Sequence, residues 1–315
     1  MAYDVPDTKA SRVAIGLSHA EEKRIALSLS PRVAWPTLAL ALVLPVSLIG
    51  LLYLGLSGGV SYWVCTPALG LVMYAHYSLV HESIHGNVVS RPAQLGWVNT
   101  TVGWIGALGL GSGWPILQRS HVLHHSHTNT ELDPDIGVKG SFASLIVKWL
   151  IGIPMNLLPL FMLRWLSPKR YAGVRTMVTA QEMFLTSAVG VAHLLILALA
   201  VATGYFEQWV FLFLIPRAIA GFILMTFFSW LPHHPFDSTE RYKNTRISLW
   251  RGGTFLLLQQ NLHLMHHLWP SVPFYNYRKL YKALHPVLMI EGSRIEGLLV
   301  GPYRKSVVDP RASNF

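Results

Sequence analysis

The 315-residue sequence has a single cysteine, Cys65. One thiol excludes an intramolecular disulfide, a cysteine-based zinc site and any iron–sulfur or rubredoxin-type centre within the chain. Charge is also scarce: Asp, Glu, Lys and Arg make up 13% of residues, against about a quarter in an average soluble protein. With 52% of residues hydrophobic, the composition excludes a disordered chain and points to lipid as part of the solvent. No glycine-rich dinucleotide fingerprint follows a strand pattern. Gly109-Leu-Gly111-Ser-Gly113 lies inside an apolar stretch, the wrong context for a nucleotide loop. The first residues lack a short apolar core followed by a small-residue cleavage site, so residues 1–33 read as a cytosolic arm of mixed charge rather than a signal peptide.

Long apolar runs are present instead. Pro36–Leu56 and Val60–Val80 are uncharged and flank the turn Ser57-Gly58-Gly59. Each has the length needed to cross a hydrocarbon core of ~30 Å, and so short a turn makes them a hairpin. Met183–Thr203 and Gln208–Trp230 form a second pair. Between the pairs, Leu95–Leu117 carries six glycines, and Phe142–Leu166 holds Lys148, Pro154, Pro159 and Arg164. Glycine and proline weaken helices and charge is costly at mid-bilayer, so both are expected to be interfacial or re-entrant.

The cations test this topology. Of 25 Lys and Arg, 24 fall before the first run, between the two pairs or after Trp230, and the outward turns carry none. This is the positive-inside pattern. It assigns the net charge of +10 to one membrane face rather than to nucleic acid, and it places both termini on the cytosolic side of a bacterial-type inner membrane. Arg217, the exception, needs a partner within the protein. The expected fold is an all-α integral membrane protein with about four transmembrane helices in two hairpins, interfacial helices and a cytosolic histidine-rich cap. Its membrane domain covers residues 34–290, followed by a tail over 291–315.

Histidines number 15, as many as all the acids together. Three runs hold most of them: His81-Glu82-Ser83-Ile84-His85, His121-Val-Leu-His124-His125 with His127 beyond, and His263-Leu-Met-His266-His267. The pair His233-His234 follows the last apolar run. Residues at i, i+3 and i+4 share a helix face, so each run aims two or three imidazoles at one point. About nine imidazoles, counting either member of the pair, exceed the four ligands of one tetrahedral zinc and suit two metals with open positions. Imidazole accepts zinc, copper, iron or nickel alike. Two other readings compete. His81-Glu82-Ser83-Ile84-His85 also satisfies the H-E-x-x-H pattern of zinc proteases, with Glu82 as general base, but that leaves the later runs without a role. A metal transporter would spread its ligands along the membrane path, whereas these collect beyond its ends.

The order H-x-x-x-H, H-x-x-H-H, H-x-x-H-H, with the third run after a second hairpin, resembles the membrane fatty acid desaturase and hydroxylase superfamily. His124-His125-Ser-His127-Thr-Asn-Thr-Glu-Leu-Asp133-Pro-Asp135 resembles its second box. Asn261-Leu-His263-Leu-Met-His266-His267-Leu-Trp-Pro270 resembles its third. Leu231-Pro-His-His-Pro-Phe-Asp, together with Trp269-Pro-Ser-Val-Pro-Phe-Tyr275, is similar to the bacterial carotenoid hydroxylase branch.

The resemblance implies two irons, dioxygen as co-substrate, and oxidation of unactivated C–H bonds in a long-chain lipid. A fatty acyl chain is the first expectation; a β-carotene-type ring hydroxylase or ketolase and a decarboxylase forming a terminal alkene are the alternatives. It implies His81, His85, His121, His124, His125, His233, His263, His266 and His267 as ligands. Glu82, His127, His234, Asp133, Asp135 and Asn261 are then supporting groups or alternate ligands. One position departs from the acyl-CoA desaturases: four residues before His233, where that branch has an asparagine, this chain has Ser229. A chain with no store for electrons also implies a separate donor, ferredoxin or rubredoxin with its reductase. Substrate is expected to reach the cap along segment 95–117, beside Gly106 and Gly109, so that bulky residues there would change chain-length preference.

Overall fold

The computed structural model describes residues 17–298. It is nearly all helical. In chain order the main helices are α1 (His19–Ser28), α2 (Trp35–Leu56), α3 (Tyr62–Ile84), α4 (Gly96–Gly109), α5 (Trp114–His127), α6 (Phe142–Met155), α7 (Pro168–Met177), α8 (Ala180–Ala202), α9 (Phe206–His233), α10 (His263–Leu268) and α11 (Tyr277–Ile290). Four of them, α2, α3, α8 and α9, are long and apolar enough to cross a membrane. At 1.5 Å per residue each covers about 30 Å or more. The contacts divide the chain into two units, Arg32–Trp230 and the combination of Met1–Pro31 with Leu231–Phe315.

In the Arg32–Trp230 unit, α3 is the hub. Over its most apolar window 56% of residues are buried, against 17% for α2; the other spans turn most of their surface outward, as lipid-facing helices do. Gly70 of α3 lets Ile219 and the Pro216 carbonyl of α9 approach closely: a Cβ there would lie 2.8 Å from Ile219 Cγ2. The α2–α3 turn closes on Gly58 at φ +71°. Helix α8 opens on a capping box, in which the Thr179 hydroxyl accepts from the Glu182 backbone N–H while Glu182 accepts from the Thr179 N–H. Helix α9 contains two π-helical stretches, Val210–Leu214 and Met225–Trp230.

The two segments between the hairpins are helix pairs. Helix α4 ends at Gly109, the chain turns through Gly111 at φ +66°, and α5 starts on Trp114-Pro115, where proline fits because its missing N–H would have no helical partner. The apolar run over Phe142–Leu166 breaks into α6 and Leu160–Leu166, which meet at 112°. Arg217 finds its partners here. Its guanidinium donates to the carbonyls of Leu110 and Gly111, at the C-terminus of α4, and to that of Asn156, the C-cap of α6. The last carbonyls of a helix have no intrahelical donor and carry the negative end of its dipole. One cation thus caps two broken helices.

The glycines of α4 do not line a path. Gly103, Gly106 and Gly109 recur every three residues on one face. A Cβ would lie 2.4 Å from Trp114 at Gly103, 2.8 Å from the His76 carbonyl and the Val80 N at Gly106, and 2.1 Å from the His76 ring at Gly109. The expected tunnel beside Gly106 and Gly109 is therefore occupied by α3 itself. Because the atoms facing Gly106 are backbone and cannot rotate away, Gly106→Leu is expected to cost about 2–3 kcal/mol by overpacking. Its melting temperature should fall, with no change in the chain length of any product; a stable variant with shifted selectivity would restore the tunnel.

In the other unit, α1 and α11 pack together. Glu22, fully buried, accepts the Tyr242 hydroxyl at 3.0 Å on both oxygens, and the Asn276 amide donates to the Leu29 carbonyl at 2.9 Å. The only sheet among the described residues is a parallel pair, Arg246–Ser248 with Arg294–Glu296. It buries Arg246, whose guanidinium meets Glu296 at 2.7 Å.

Candidate metal centre

The first two histidine runs lie at neighbouring helix ends of the Arg32–Trp230 unit. His81 sits in the last turn of α3 and His85 is its C-cap; His121, His124 and His125 occupy the last two turns of α5. Helix α5 is anchored by Arg119, which donates through Nε and Nη2 to Glu182 at 3.0 and 2.9 Å. His121 is the centre of this group. Its Nε2 lies 3.0 Å from His85 Nε2 and 3.1 Å from His125 Nε2, and the ligand nitrogens of His81, His85 and His121 lie within 4.8 Å of one another.

His124 is held by acids. Its Nδ1 is 2.8 Å from Asp133 Oδ1 and 3.9 Å from Asp135 Oδ2. Asp133 is fixed in turn by the N–H groups of Asn129 and Asp135, each donating at 2.8 Å, and Asn129 turns the chain back with φ +64°. Ser229 lies beside Asp135 and works to lower its pKa against the rise that burial causes, so the position that departs from the acyl-CoA desaturases faces the acid pair here. A carboxylate on one ring nitrogen fixes the tautomer and leaves the other nitrogen bare to bind a metal.

The second cluster belongs to the other unit. His233 is buried at the end of α9, and its Nε2 lies 3.3 Å from His263 Nε2; His267 Nε2 lies 3.2 Å from the same atom. His266, on the same turn of α10, has its Nδ1 3.1 Å from the Tyr277 hydroxyl. Both residues are fully buried.

These spacings pass a test for a cation. Ligand bonds of about 2.0–2.2 Å at tetrahedral to octahedral angles separate neighbouring donor nitrogens by about 3.0–3.4 Å. The imidazole pairs lie at 3.0–3.3 Å. All-imidazole clusters suit iron, zinc or copper and not calcium or magnesium.

The supporting residues separate into those that join the clusters and those that do not. Glu82 is fully buried with its carboxylate 3.5 Å from His81 Nδ1. His127 turns its Nδ1 to the Leu123 carbonyl at 3.2 Å, away from the group. His234 is only half-buried and faces the charges of Arg246, Asp237, Arg294 and Glu296, so His233 and not its neighbour joins the second cluster. Asn261 donates to the Ser248 carbonyl at 2.9 Å, bracing α10 on the strand pair. Two tyrosines escaped the sequence reading. Tyr277 has no local signal. Tyr77, whose hydroxyl lies 3.5 Å from His121 Nδ1, stands four residues before His81 on the same helix face, and that spacing was a signal.

Burial, reinforced by neighbouring imidazoles, holds the pKa values of His85, His121 and His125 well below the usual histidine value. Burial works the same way on His124, but Asp135 and Asp133 outweigh it and raise its pKa. The three lowered groups bind protons in the unfolded chain below about pH 6.5 but not in the folded one, so their contribution to stability falls as pH drops through that range. His124 acts oppositely, its contribution complete at low pH and lost as pH rises through its raised value. His234 and His285 are also lowered, whereas the raised carboxyl of Asp135 acts with His124, so five groups oppose two and chelator-treated protein is expected to melt at a lower temperature at pH 5 than at pH 7. A flat or inverted profile would show that the imidazoles are not buried together.

The family model for fatty acid desaturase matches residues 57–292. Among curated proteins, a beta-carotene ketolase of Paracoccus sp. (strain PC1) is 24% identical over 229 residues, 70% of this chain and 79% of the relative. A second beta-carotene ketolase, from Paracoccus sp. (strain N81106 / MBIC 01143), is 26% identical over 206 residues, 63% and 70% of the two chains. An endoplasmic reticulum omega-3 fatty acid desaturase of Nicotiana tabacum is 24% identical over 254 residues, 72% and 65%. The matched stretch contains every histidine of both clusters, and the family relationship and the enzyme class follow from it together: the chain is an oxidoreductase and belongs to the fatty acid desaturase family.

Proposed function

We propose that this chain is an oxygen-dependent, non-haem di-iron enzyme that oxidises unactivated C–H bonds of a long hydrophobic lipid. The observation that carries the reading is the pair of imidazole clusters with donor nitrogens 3.0–3.3 Å apart. His81, His85, His121, His124 and His125 in one unit, and His233, His263, His266 and His267 in the other, would hold the metals. Bound iron supplies activation of dioxygen and removal of hydrogen from carbon. The chain's own groups set the conditions: Asp133 orients His124, Tyr277 orients His266, and Glu82 offsets positive charge beside His81. Burial of most of these histidines keeps water from competing with the lipid. The cation distribution supports a cytosolic position for the clusters, and a separate carrier would supply the electrons.

For the substrate, two relatives named as beta-carotene ketolases and the similarity of the Leu231–Asp237 stretch make a carotene ring the first choice. The omega-3 desaturase supports a fatty acyl chain as the second reading. A zinc protease built on His81 and His85 would leave the second cluster without use. Expression in a host that makes both carotenes and fatty acids and supplies redox partners, followed by untargeted lipid mass spectrometry, separates the outcomes. One oxygen gained in place of two hydrogens marks ketolation, one oxygen alone hydroxylation, and two hydrogens lost desaturation. Unchanged carotenes beside a desaturated fatty acid would reverse the order of the two substrates.

A further inference from the structure

Converting C–H to C–OH with dioxygen consumes two electrons and two protons beyond those of the substrate and releases water. The chain stores no electrons of its own, so they must arrive at a surface. Helix α11 opens with Tyr277-Arg278-Lys279, and Lys282 follows one turn later. All three cations are exposed. None forms an ion pair among the described residues, whereas in the same unit Arg24, Lys243, Arg246 and Arg294 each meet a carboxylate.

The arrangement opposes helix stability twice. The first turn of α11 contains no acid, so Arg278 and Lys279 face the positive end of the helix dipole uncompensated. Arg278 and Lys282 are like charges at i and i+4, a repulsive spacing. A positive-inside bias is satisfied as well by cations in loops and does not explain this choice of position. On the buried side of the same turn, the Tyr277 hydroxyl lies 3.1 Å from His266 Nδ1. The charged face is therefore one side chain away from a candidate metal ligand.

We propose that Arg278, Lys279 and Lys282 form the docking face for an acidic one-electron carrier protein, seated over the Tyr277–His266 contact. The inference rests on the proposed function and names its partner. Each carrier is oxidised by one electron, two successive dockings supply the pair, and solvent supplies the protons.

The test uses the full-length iron-loaded protein in uncharged detergent, titrated with an acidic [2Fe–2S] ferredoxin at low and high salt. The variant combines Arg278→Glu, Lys279→Glu and Lys282→Glu; a second variant places Gln at the same positions. At low salt the ferredoxin Kd is expected to rise about 30-fold or more in the Glu variant and less in the Gln variant, and the salt dependence to flatten. Bound iron and reduction by dithionite should stay as in the parent and the melting temperature should not fall, because acids at positions 278 and 279, in the first turn, suit the dipole. A ferredoxin Kd within about twofold of the parent in both variants overturns the docking face. So does a loss confined to vesicles of phosphatidylcholine and phosphatidylglycerol, which would assign the cations to the membrane surface. Failure of the proposed function looks different: a parent protein that holds no iron, or that dithionite cannot reduce.

Discussion

Replacement of His121 or His263 by alanine is expected to abolish turnover. Each imidazole is the centre of its cluster: His121 Nε2 lies within 3.1 Å of the Nε2 atoms of His85 and His125, and His263 Nε2 within 3.3 Å of those of His233 and His267. Removing the centre separates the remaining donors and leaves a buried gap that only water can fill. The loss should exceed the ~10–100-fold that follows from deleting an outer hydrogen-bond partner of a metal ligand. Asp133→Ala belongs to that milder class, because it frees His124 without removing a donor. His127→Ala and His234→Ala are the matched controls, since neither side chain joins a cluster. Product formation and bound metal, measured on the same preparations, check the ranking. Full activity in both the His121 and the His263 variants would sink the assignment of the clusters.

The second large effect falls far from the histidines. Arg217→Leu should destabilise the protein by about 3–5 kcal/mol, because it strands three helix-end carbonyls that a guanidinium now satisfies. Leucine suits the surrounding lipid better than arginine does, so a hydropathy argument alone expects stabilisation. The sign of the change in melting temperature in detergent therefore decides between the two. Arg217→Lys should recover part of the loss, since an ammonium carries the charge but lacks the planar fork that reaches the ends of both α4 and α6. Equal stability of Arg217→Leu and the parent would mean that water already satisfies those carbonyls.

Arg217 also marks where sequence reading stopped. The spans were legible because some twenty apolar residues in a row have few other uses, and the histidine runs because i, i+3, i+4 spacing fixes a common face. A backbone carbonyl has no letter of its own, so the partners of Arg217 could not be read. Nor could Tyr277, which reaches His266 across a gap of 11 residues. The glycines of α4 carried a usable signal that was misread. Spacing of three along a helix places small residues on one face, and in a membrane protein such a face favours close helix packing over an open path. The choice between His233 and His234 depends on how the last turn of α9 faces, which a two-residue motif does not contain.

The central claim, that the two imidazole clusters hold a di-iron centre, is tested most directly by metal analysis of the purified protein combined with Mössbauer spectroscopy. About two irons per chain with non-haem parameters are expected from the donor set, and both should be lost in the His121→Ala, His263→Ala double variant. One tightly held zinc, with no iron, would contradict it.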